Sequence, residues 1–264
     1  MTGQQEIKMN KKTILLIVLS LGIISSATAQ RKRKKQTPVN AEVSITEQLI
    51  KMHTKAYRHA LKLGDANTAI VSLTNLLVLD TAKLSPYRDT LSMLYFQSGK
   101  YSQSYALSKT LTEENPSNIL QIEIYAQSMR ELGGYKEAIP VYEKLLSGKP
   151  SMLYAYQLGD MQLKLDRTKE AFNTFRKAIS TKQDTAYSIG VDAGNNQTQQ
   201  VKLKAVIYNM LGVTAYKLNK ENANYAYQFF VNAVKEQDDF VLARENAIQT
   251  KKVIDENSNT DTKR

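Results

Sequence analysis

The side chains that most often carry enzyme chemistry are scarce in this chain of 264 residues. It contains no Cys, which excludes disulfides, thiolate metal sites and a cysteine nucleophile. Its two histidines, His53 and His59, stand six positions apart and would point to different sides of a helix, so neither a zinc site nor a catalytic triad is predicted. No Gly-rich phosphate loop follows the usual spacing. We therefore predict a protein that is not an enzyme, with no catalytic residue, metal or cofactor.

The formal net charge of +11 is concentrated near the N-terminus. A block of five cations contributes nearly half of it, namely Arg31, Lys32, Arg33, Lys34 and Lys35. The residues before this block add +2, which leaves +4 for the remaining 229 residues. Nucleic-acid binding needs a basic body with stacking aromatic residues, and this charge does not supply it. No nucleic-acid partner is predicted.

The first 29 residues have the pattern of an export signal. Three lysines between positions 8 and 12 precede an apolar run over residues 14–24, and the small residues Ala27 and Ala29 then stand at the spacing that a signal peptidase requires. Cleavage is predicted before Gln30, which would place the protein in the periplasm or at the outer envelope. The alternative is an uncleaved membrane anchor, although the run is shorter than the ~20 residues of a membrane span.

Residues 30–43 form a basic leader and linker in this interpretation. The cations of residues 31–35 can be a solvated leader, or they can contact an anionic membrane or polysaccharide, where each charge contributes about 1 kcal/mol near the surface. A nucleic-acid patch is a third interpretation, which the export signal disfavours.

The rest of the chain contains a repeat of about 34 residues, a period typical of helical arrays. Small residues recur at Ala69, Ser104, Ala138 and Ala171, with spacings of 35, 34 and 33, and again at Ala226. Each is followed four positions later by Leu73, Ser108, Tyr142, Phe175 or Phe230. Spacings of four place each pair on one helical face, where the small residue lets two helices approach closely and the larger one fills the space.

This pattern resembles the tetratricopeptide repeat (TPR) family, most clearly in the third copy. That copy contains Tyr125, Gly133, Tyr135, Ala138, Tyr142, Leu145 and Pro150. The resemblance implies an all-α fold, a right-handed α-solenoid of about five helix pairs with a C-terminal capping helix. We predict this domain over residues 44–255, with a polar insertion at 181–200 and a disordered tail at 256–264.

In this family the first helices of the pairs line a concave groove, and the resemblance implies that the groove binds a protein or peptide. By register, eight residues are predicted to contact a partner: Lys51, Lys55, Arg58, Phe96, Arg130, Tyr156, Asn209 and Tyr216. The three cations on the first helix can also be a solvated face. Some family members clamp a carboxylate with Lys, but Glu123 and Tyr156 stand in those places here, so no such clamp is predicted.

Two functions are compatible with these features. The first is an exported scaffold or adaptor that mediates protein–protein interactions in the cell envelope. The alternative is a structural accessory protein that residues 31–35 tether to an anionic envelope surface. The sequence leaves the identity of the partner and the oligomeric state open.

The export signal makes a prediction about mass. When the full chain is expressed in an exporting bacterial host, the intact mass of the purified protein should correspond to a chain that begins at Gln30. A protein that retains residues 1–29 and remains in the membrane fraction would establish the anchor instead.

Overall fold

The structure is a computed structural model and describes residues 44–80, 86–148, 150–181, 187–194 and 197–261. The predicted signal (1–29) and leader (30–43) lie outside these residues, as do Ala27, Ala29 and Gln30. Among the helices that the structure describes, none combines the length and the apolar character that crossing a bilayer requires.

Eleven helices and one β-hairpin follow one another along the described residues. The first four helix pairs are α1 (Ile45–Leu63) and α2 (Ala66–Leu79), α3 (Tyr87–Gln97) and α4 (Tyr101–Glu114), α5 (Ile119–Glu131) and α6 (Tyr135–Gly148), α7 (Met152–Lys164) and α8 (Thr168–Ser180). The remaining elements are β1 (Ser188–Asp192), β2 (Thr198–Lys202), α9 (Leu203–Leu218), α10 (Ala223–Glu236) and α11 (Val241–Asp261).

The helices pack mainly against their neighbours in sequence, as the members of a solenoid do. Within each antiparallel pair the two helices are in contact, and the second helix also contacts the first helix of the next pair. The predicted all-α solenoid of helix pairs is therefore confirmed, with the hairpin as an addition between the fourth and fifth pairs.

The ends of the helices follow local sequence signals. The hydroxyl of Ser44 accepts a hydrogen bond from the Glu47 backbone N–H, and the Glu47 carboxylate accepts one from the Ser44 N–H, both at 3.2 Å, which is a capping box. The turn in the third pair uses Gly133 at φ 79°, and Asp166 takes the equivalent place in the fourth pair at φ 56°. Asp is one of the few residues other than Gly that adopt this left-handed conformation.

The recurring small residues lie at the centre of each pair. Ala69, Ser104, Ala138, Ala171 and Ala226 are all 0% exposed, so the register of the five copies is confirmed. Only Ala or Ser stands at these places, and a larger side chain would push the two helices apart.

Glycine and a buried ring make the tightest of these contacts. Phe175 of α8 lies against Gly159 of α7, where an added Cβ would stand 2.5 Å from the ring. The fifth pair repeats this arrangement with Phe230 against Gly212. The lack of a side chain at these two glycines therefore sets the distance between the helices.

The second copy fills the equivalent space with serines. Ser92, Ser104, Ser108 and Ser128 are each 0% exposed. Ser104 donates to the Ser92 carbonyl at 3.2 Å, Ser128 donates to the Ser104 hydroxyl at 3.0 Å, and Ser108 donates to the Ser104 carbonyl. The hydroxyls of Ser104, Ser108 and Ser128 are hydrogen-bonded and therefore buried at little cost, whereas that of Ser92 has no partner among the described residues. Small polar residues thus let α3, α4 and α5 pack closely.

The insertion is more ordered and more apolar than its composition suggests. The predicted span was 181–200, but β2 continues to Lys202, and the two strands pair in antiparallel register with Ile189 opposite Val201. Ile189, Val191 and Val201 are buried in the same core as α7, α8 and α9. Alternate residues of a strand face one side, so three apolar residues are enough to attach the hairpin.

The last helix also differs from its prediction. It extends to Asp261, so the tail predicted from residue 256 is wrong for its first six residues. No Gly or Pro stops the helix after its apolar face ends, and Lys251 pairs with Asp255 at 2.8 Å one turn further on. Phe240 and Ala243 at its start are buried, so α11 packs onto the last pair.

The Gly159 contact leads to a stability prediction. Gly159→Ala should lower the free energy of unfolding by about 1–3 kcal/mol, because the new methyl group overlaps the Phe175 ring in a filled core. Urea unfolding followed by far-UV circular dichroism measures the change.

Gly148→Ala is the matched control, since a Cβ at Gly148 meets no atom within 4 Å. It should leave stability unchanged or raise it slightly. Equal effects of the two substitutions would contradict the proposed packing.

Candidate functional site

The first helices of the pairs form a common surface. α3 contacts α5 directly, and α7 contacts α9, so side chains that turn away from the second helices meet along one side of the array. We call the outward sides of α1, α3, α5, α7 and α9 the first-helix surface.

Arg130 of α5 is the cation at the centre of this surface. Its side chain is only 11% exposed and forms an ion pair with Glu131, while its Nε atom has no hydrogen-bond partner among the described residues. Burial alone would lower the pKa of Arg130, but Tyr142, Glu131 and Asp160 together raise it above the ordinary value. The guanidinium therefore stays charged although water reaches little of it.

Two residues of α7 face Arg130 from the next pair. Burial raises the pKa of Tyr156, and the carboxylate of Asp160 raises it further, while Arg130 acts in the opposite direction. Asp160 also binds Lys164 Nζ at 2.8 Å. Tyr156 is consequently a neutral phenol between a cation and an anion, able to donate or accept a hydrogen bond.

A second contact joins the same two helices. Burial raises the pKa of Tyr154 of α7, and the interaction of its hydroxyl with the Glu123 carboxylate of α5 raises it further. The ring of Tyr154 also meets the buried ring of Tyr142 edge-on, with centroids 6.1 Å apart. These interactions connect α7 to both helices of the preceding pair, to α5 through Glu123 and to α6 through Tyr142.

Tyr187, just before β1, completes the group. Burial raises the pKa of Tyr187, and the charge of Arg130 partly offsets this rise, so the phenol lies within electrostatic reach of the guanidinium. The residue is 40% exposed. We call six residues the Arg130 cluster: Glu123, Arg130, Tyr154, Tyr156, Asp160 and Tyr187. The cluster offers three phenols, one desolvated cation and two carboxylates, which suits hydrogen bonding to a ligand.

The structure brings together only part of the predicted site. Arg130 and Tyr156 meet in the cluster. Lys51, Lys55 and Arg58 are exposed on α1, away from it. Residues 31–35 lie outside the described residues.

Three other predicted contacts have structural partners. Phe96 is partly buried against Tyr101 of α4, with ring centroids 5.5 Å apart. Asn209 is only 2% exposed and accepts a 2.8 Å hydrogen bond from Asn246 of α11, so its prediction as an open contact is wrong. Tyr216 lines a cavity of about 270 Å³ between α9 and α11 and is partly covered. Helix α11 therefore covers the first-helix surface at α9. The spacing of the repeats in the sequence does not predict this covering helix.

The sequence interpretation missed Tyr187 altogether. It lies in a segment that the polar composition marked as an insertion, and the signal that could have identified it is the alternation of Ile189 and Val191 just after it. Such a short alternating run indicates a strand, and therefore a fixed position for the residue at its start.

Another cleft in the described part of the chain lies away from the cluster. It has a volume of about 560 Å³ and is lined mainly by α6, α7 and α8, with Glu143, Asn173 and Lys177 at its sides. Within residues 44–261 as described, no group of three or more His, Asp or Glu side chains could hold a metal ion.

Comparison with known proteins supports the helical repeat. Residues 154–185 match the family model described as tetratricopeptide repeat. No curated protein matches the chain in sequence.

Several solved structures have folds similar to that of this chain. A tetratricopeptide repeat protein from Parabacteroides merdae ATCC 43184 is 16% identical, with a TM-score of 0.58 over 80% of this chain and 76% of that chain. MamA, residues 41 to the end, from Desulfovibrio magneticus RS-1 is 13% identical, with a TM-score of 0.55 over 73% of this chain and 97% of that chain.

Identities this low establish the fold alone. The match to the family model falls on the fourth helix pair, the pair that supplies Tyr154, Tyr156 and Asp160. The chain therefore has the fold of a TPR-like solenoid, with a tetratricopeptide repeat at the centre of its candidate site.

Proposed function

We propose that this protein is an exported, non-catalytic scaffold that binds a partner protein or peptide in the cell envelope through its first-helix surface. The observation that carries the proposal is the Arg130 cluster. In it, side chains of α5 and α7 and that of Tyr187 lie within electrostatic reach of one another at a partly exposed place. The pattern of residues 1–29 supports export.

The composition of the cluster suits protein recognition. Tyr and Arg are the residue types that most often dominate binding energy, because they combine a large rigid surface with directed hydrogen bonds. Arg130 is already desolvated and held by Glu131 and Asp160, so little water has to be removed from it when a partner covers this place. The cluster is therefore organised before any partner arrives.

Truncation of Tyr187 tests the proposal. Tyr187→Ser should reduce partner capture by about tenfold or more, because loss of a central tyrosine costs more than about 1.4 kcal/mol of binding. Capture of partners from an envelope extract on the immobilised chain, with quantitative mass spectrometry of the bound proteins, measures the loss.

Tyr225→Ser is the matched control. Tyr225 lies on the second helix α10 and is 42% exposed, close to the 40% of Tyr187, so the two substitutions remove the same group from different surfaces. Undiminished capture by Tyr187→Ser would exclude the cluster as the binding surface.

A second candidate function is attachment to an anionic envelope surface. The observation that favours it is the face of α1, where Lys51, Lys55, Arg58 and Lys62 are exposed in one row. Next to this row lies an apolar stripe that contains Ile45 (76% exposed), Met52 (53%) and Leu63 (70%). A helix that is basic on one side and apolar on the next is typical of contact with anionic lipid, and residues 31–35 would add to its charge.

Charge reversal on α1 tests this second function. The chain beginning at Gln30 should sediment with vesicles of phosphatidylcholine and phosphatidylglycerol, and Lys51, Lys55 and Lys62→Glu together should weaken binding by at least about a hundredfold, at about 1 kcal/mol per charge removed. The attraction should also decline as salt is added.

The matched control is Lys136, Lys169 and Lys177→Glu, three exposed lysines on second helices, which changes the net charge equally. Equal loss from both triple variants would show attraction by overall charge and not by α1. No binding by the wild-type chain would exclude attachment through lipid.

A further inference from the structure

The hairpin has two outer edges, and its hydrogen-bond pattern shows which backbone groups each edge presents. Leu203 N–H donates to the Tyr187 carbonyl at 2.8 Å, and Ala193 N–H donates to the Gln197 carbonyl at 2.9 Å. With Ile189 opposite Val201, the odd-numbered residues of β1 form the hydrogen-bonded pairs with β2. The N–H and C=O groups of Ser188, Gly190 and Asp192 therefore point away from β2.

The outer edge of β2 is closed by a side chain. Lys202 N–H donates to Gln237 Oε1 at 2.8 Å, and Gln237 Nε2 donates to the Gln200 carbonyl at 3.1 Å. The amide of Gln237 thus occupies the place of a peptide unit in a neighbouring strand. Gln199 adds bonds of 2.7 Å to the Asp239 carbonyl and 3.2 Å from the Val241 N–H.

The outer edge of β1 has no comparable cover within the described residues. There, no residue pairs with the outward backbone groups of Ser188 or Gly190, and Asp192 bonds locally through its carboxylate to the Gly194 N–H at 2.9 Å. Ser188 and Asp192 are exposed and Gly190 is partly exposed. Unpaired strand edges of this kind accept an additional strand unless Pro, Lys or a bulge prevents it, and β1 contains none of these.

The open edge is rigid and starts at the candidate site. Ile189 and Val191 are 6% and 7% exposed, so the strand is held against the helical core and does not have to fold when a partner binds. Its first residue follows Tyr187 of the Arg130 cluster directly. A strand added to β1 would therefore continue onto the first-helix surface.

We propose that the partner supplies an extended segment that pairs with the outer edge of β1 and makes β1 the central strand of a three-stranded sheet. This inference rests on the proposed scaffold function and names the form in which the partner binds. The segment would be about as long as β1, which has five residues. Its side chains would alternate between apolar and polar, because residues on the Ile189 side of the sheet face the helices.

A partner segment is a better occupant than a second copy of the chain. Pairing of two β1 strands across a two-fold axis would bury only a five-residue edge, well below the roughly 1,200 Å² of a stable dimer. An added peptide gains the contacts of the Arg130 cluster as well as the backbone bonds.

The experiment uses the full chain and a phage-displayed library of random peptides as the probe. Peptides enriched on the wild-type chain should bind Gly190→Pro at least about tenfold more weakly, because proline removes an outward N–H and its ring obstructs the edge. The bonds between β1 and β2 do not involve the Gly190 N–H, so proline is tolerated at this position. Gly190→Ala keeps the N–H and should bind as the wild type does.

Amide exchange on the ¹⁵N-labelled wild-type chain gives a second result that needs no variant. Saturation with an enriched peptide should slow exchange at Ser188, Gly190 and Asp192, and leave Ile189 and Val191, which are already bonded to β2, unchanged. This alternation is the signature of strand addition in either direction.

The outcomes separate the two proposals. Peptides that lose affinity for Tyr187→Ser but bind Gly190→Pro fully and protect no outward amide would overturn strand addition and leave the scaffold function standing. No enrichment at all would count against both. Protection of the outward amides that rises with protein concentration in the absence of peptide would show that a second copy, not a partner, occupies the edge.

Discussion

The close approach of two helices within each pair is the constraint on which the rest of this protein depends. At Gly159 and Gly212 there is no room for even one carbon beyond the backbone, since Phe175 and Phe230 occupy the space. A ring seated on a glycine fixes both the separation of the helices and the position of the ring. The geometry of the pair then sets where the first helix of the next pair must lie, because each second helix contacts it.

The Arg130 cluster is a product of that geometry. Glu123 and Arg130 are on one pair, Tyr154 and Asp160 are on the next, and Tyr187 follows later in the chain. Their approach is possible only when α5 and α7 lie side by side at a fixed distance. Because the cation and both carboxylates are held within a packed frame, the cluster keeps its polar groups ready, which lowers the cost of binding.

The architecture was predictable from the sequence because a residue pattern that is weak evidence in one copy becomes strong evidence when it recurs in five. Ala138 and Tyr142 alone are ordinary helix residues. A small residue followed four positions later by a second core residue in five copies, however, indicates stacked helix pairs. Even Ser104 and Ser108, unpromising for a core, occupy the expected places, where backbone carbonyls satisfy their hydroxyls.

The site was less predictable, because the burial of a side chain depends on neighbouring residues that are distant in the sequence. Register alone placed Arg130, Tyr156 and Asn209 on one surface. The structure desolvates Arg130 among residues of two helices and covers Asn209 with Asn246 of α11. The hairpin escaped prediction because its apolar pattern has only three members among many polar residues. For the same reason, Tyr187 could not be assigned a position.

The side-chain amide of Gln237 has a consequence for how the molecule unfolds. In a simple repeat array each unit touches only its neighbours, so stability is a sum of local terms and segments can open independently. Here Gln237 and Gln199 fasten the hairpin, which follows the fourth pair, to the connection between α10 and α11. These hydrogen bonds span the whole of the fifth pair, so we expect residues from α7 onward to unfold as one cooperative block. In the first three pairs, no side-chain hydrogen bond among the described residues spans a whole pair, and we expect these pairs to open segment by segment as in an ordinary solenoid.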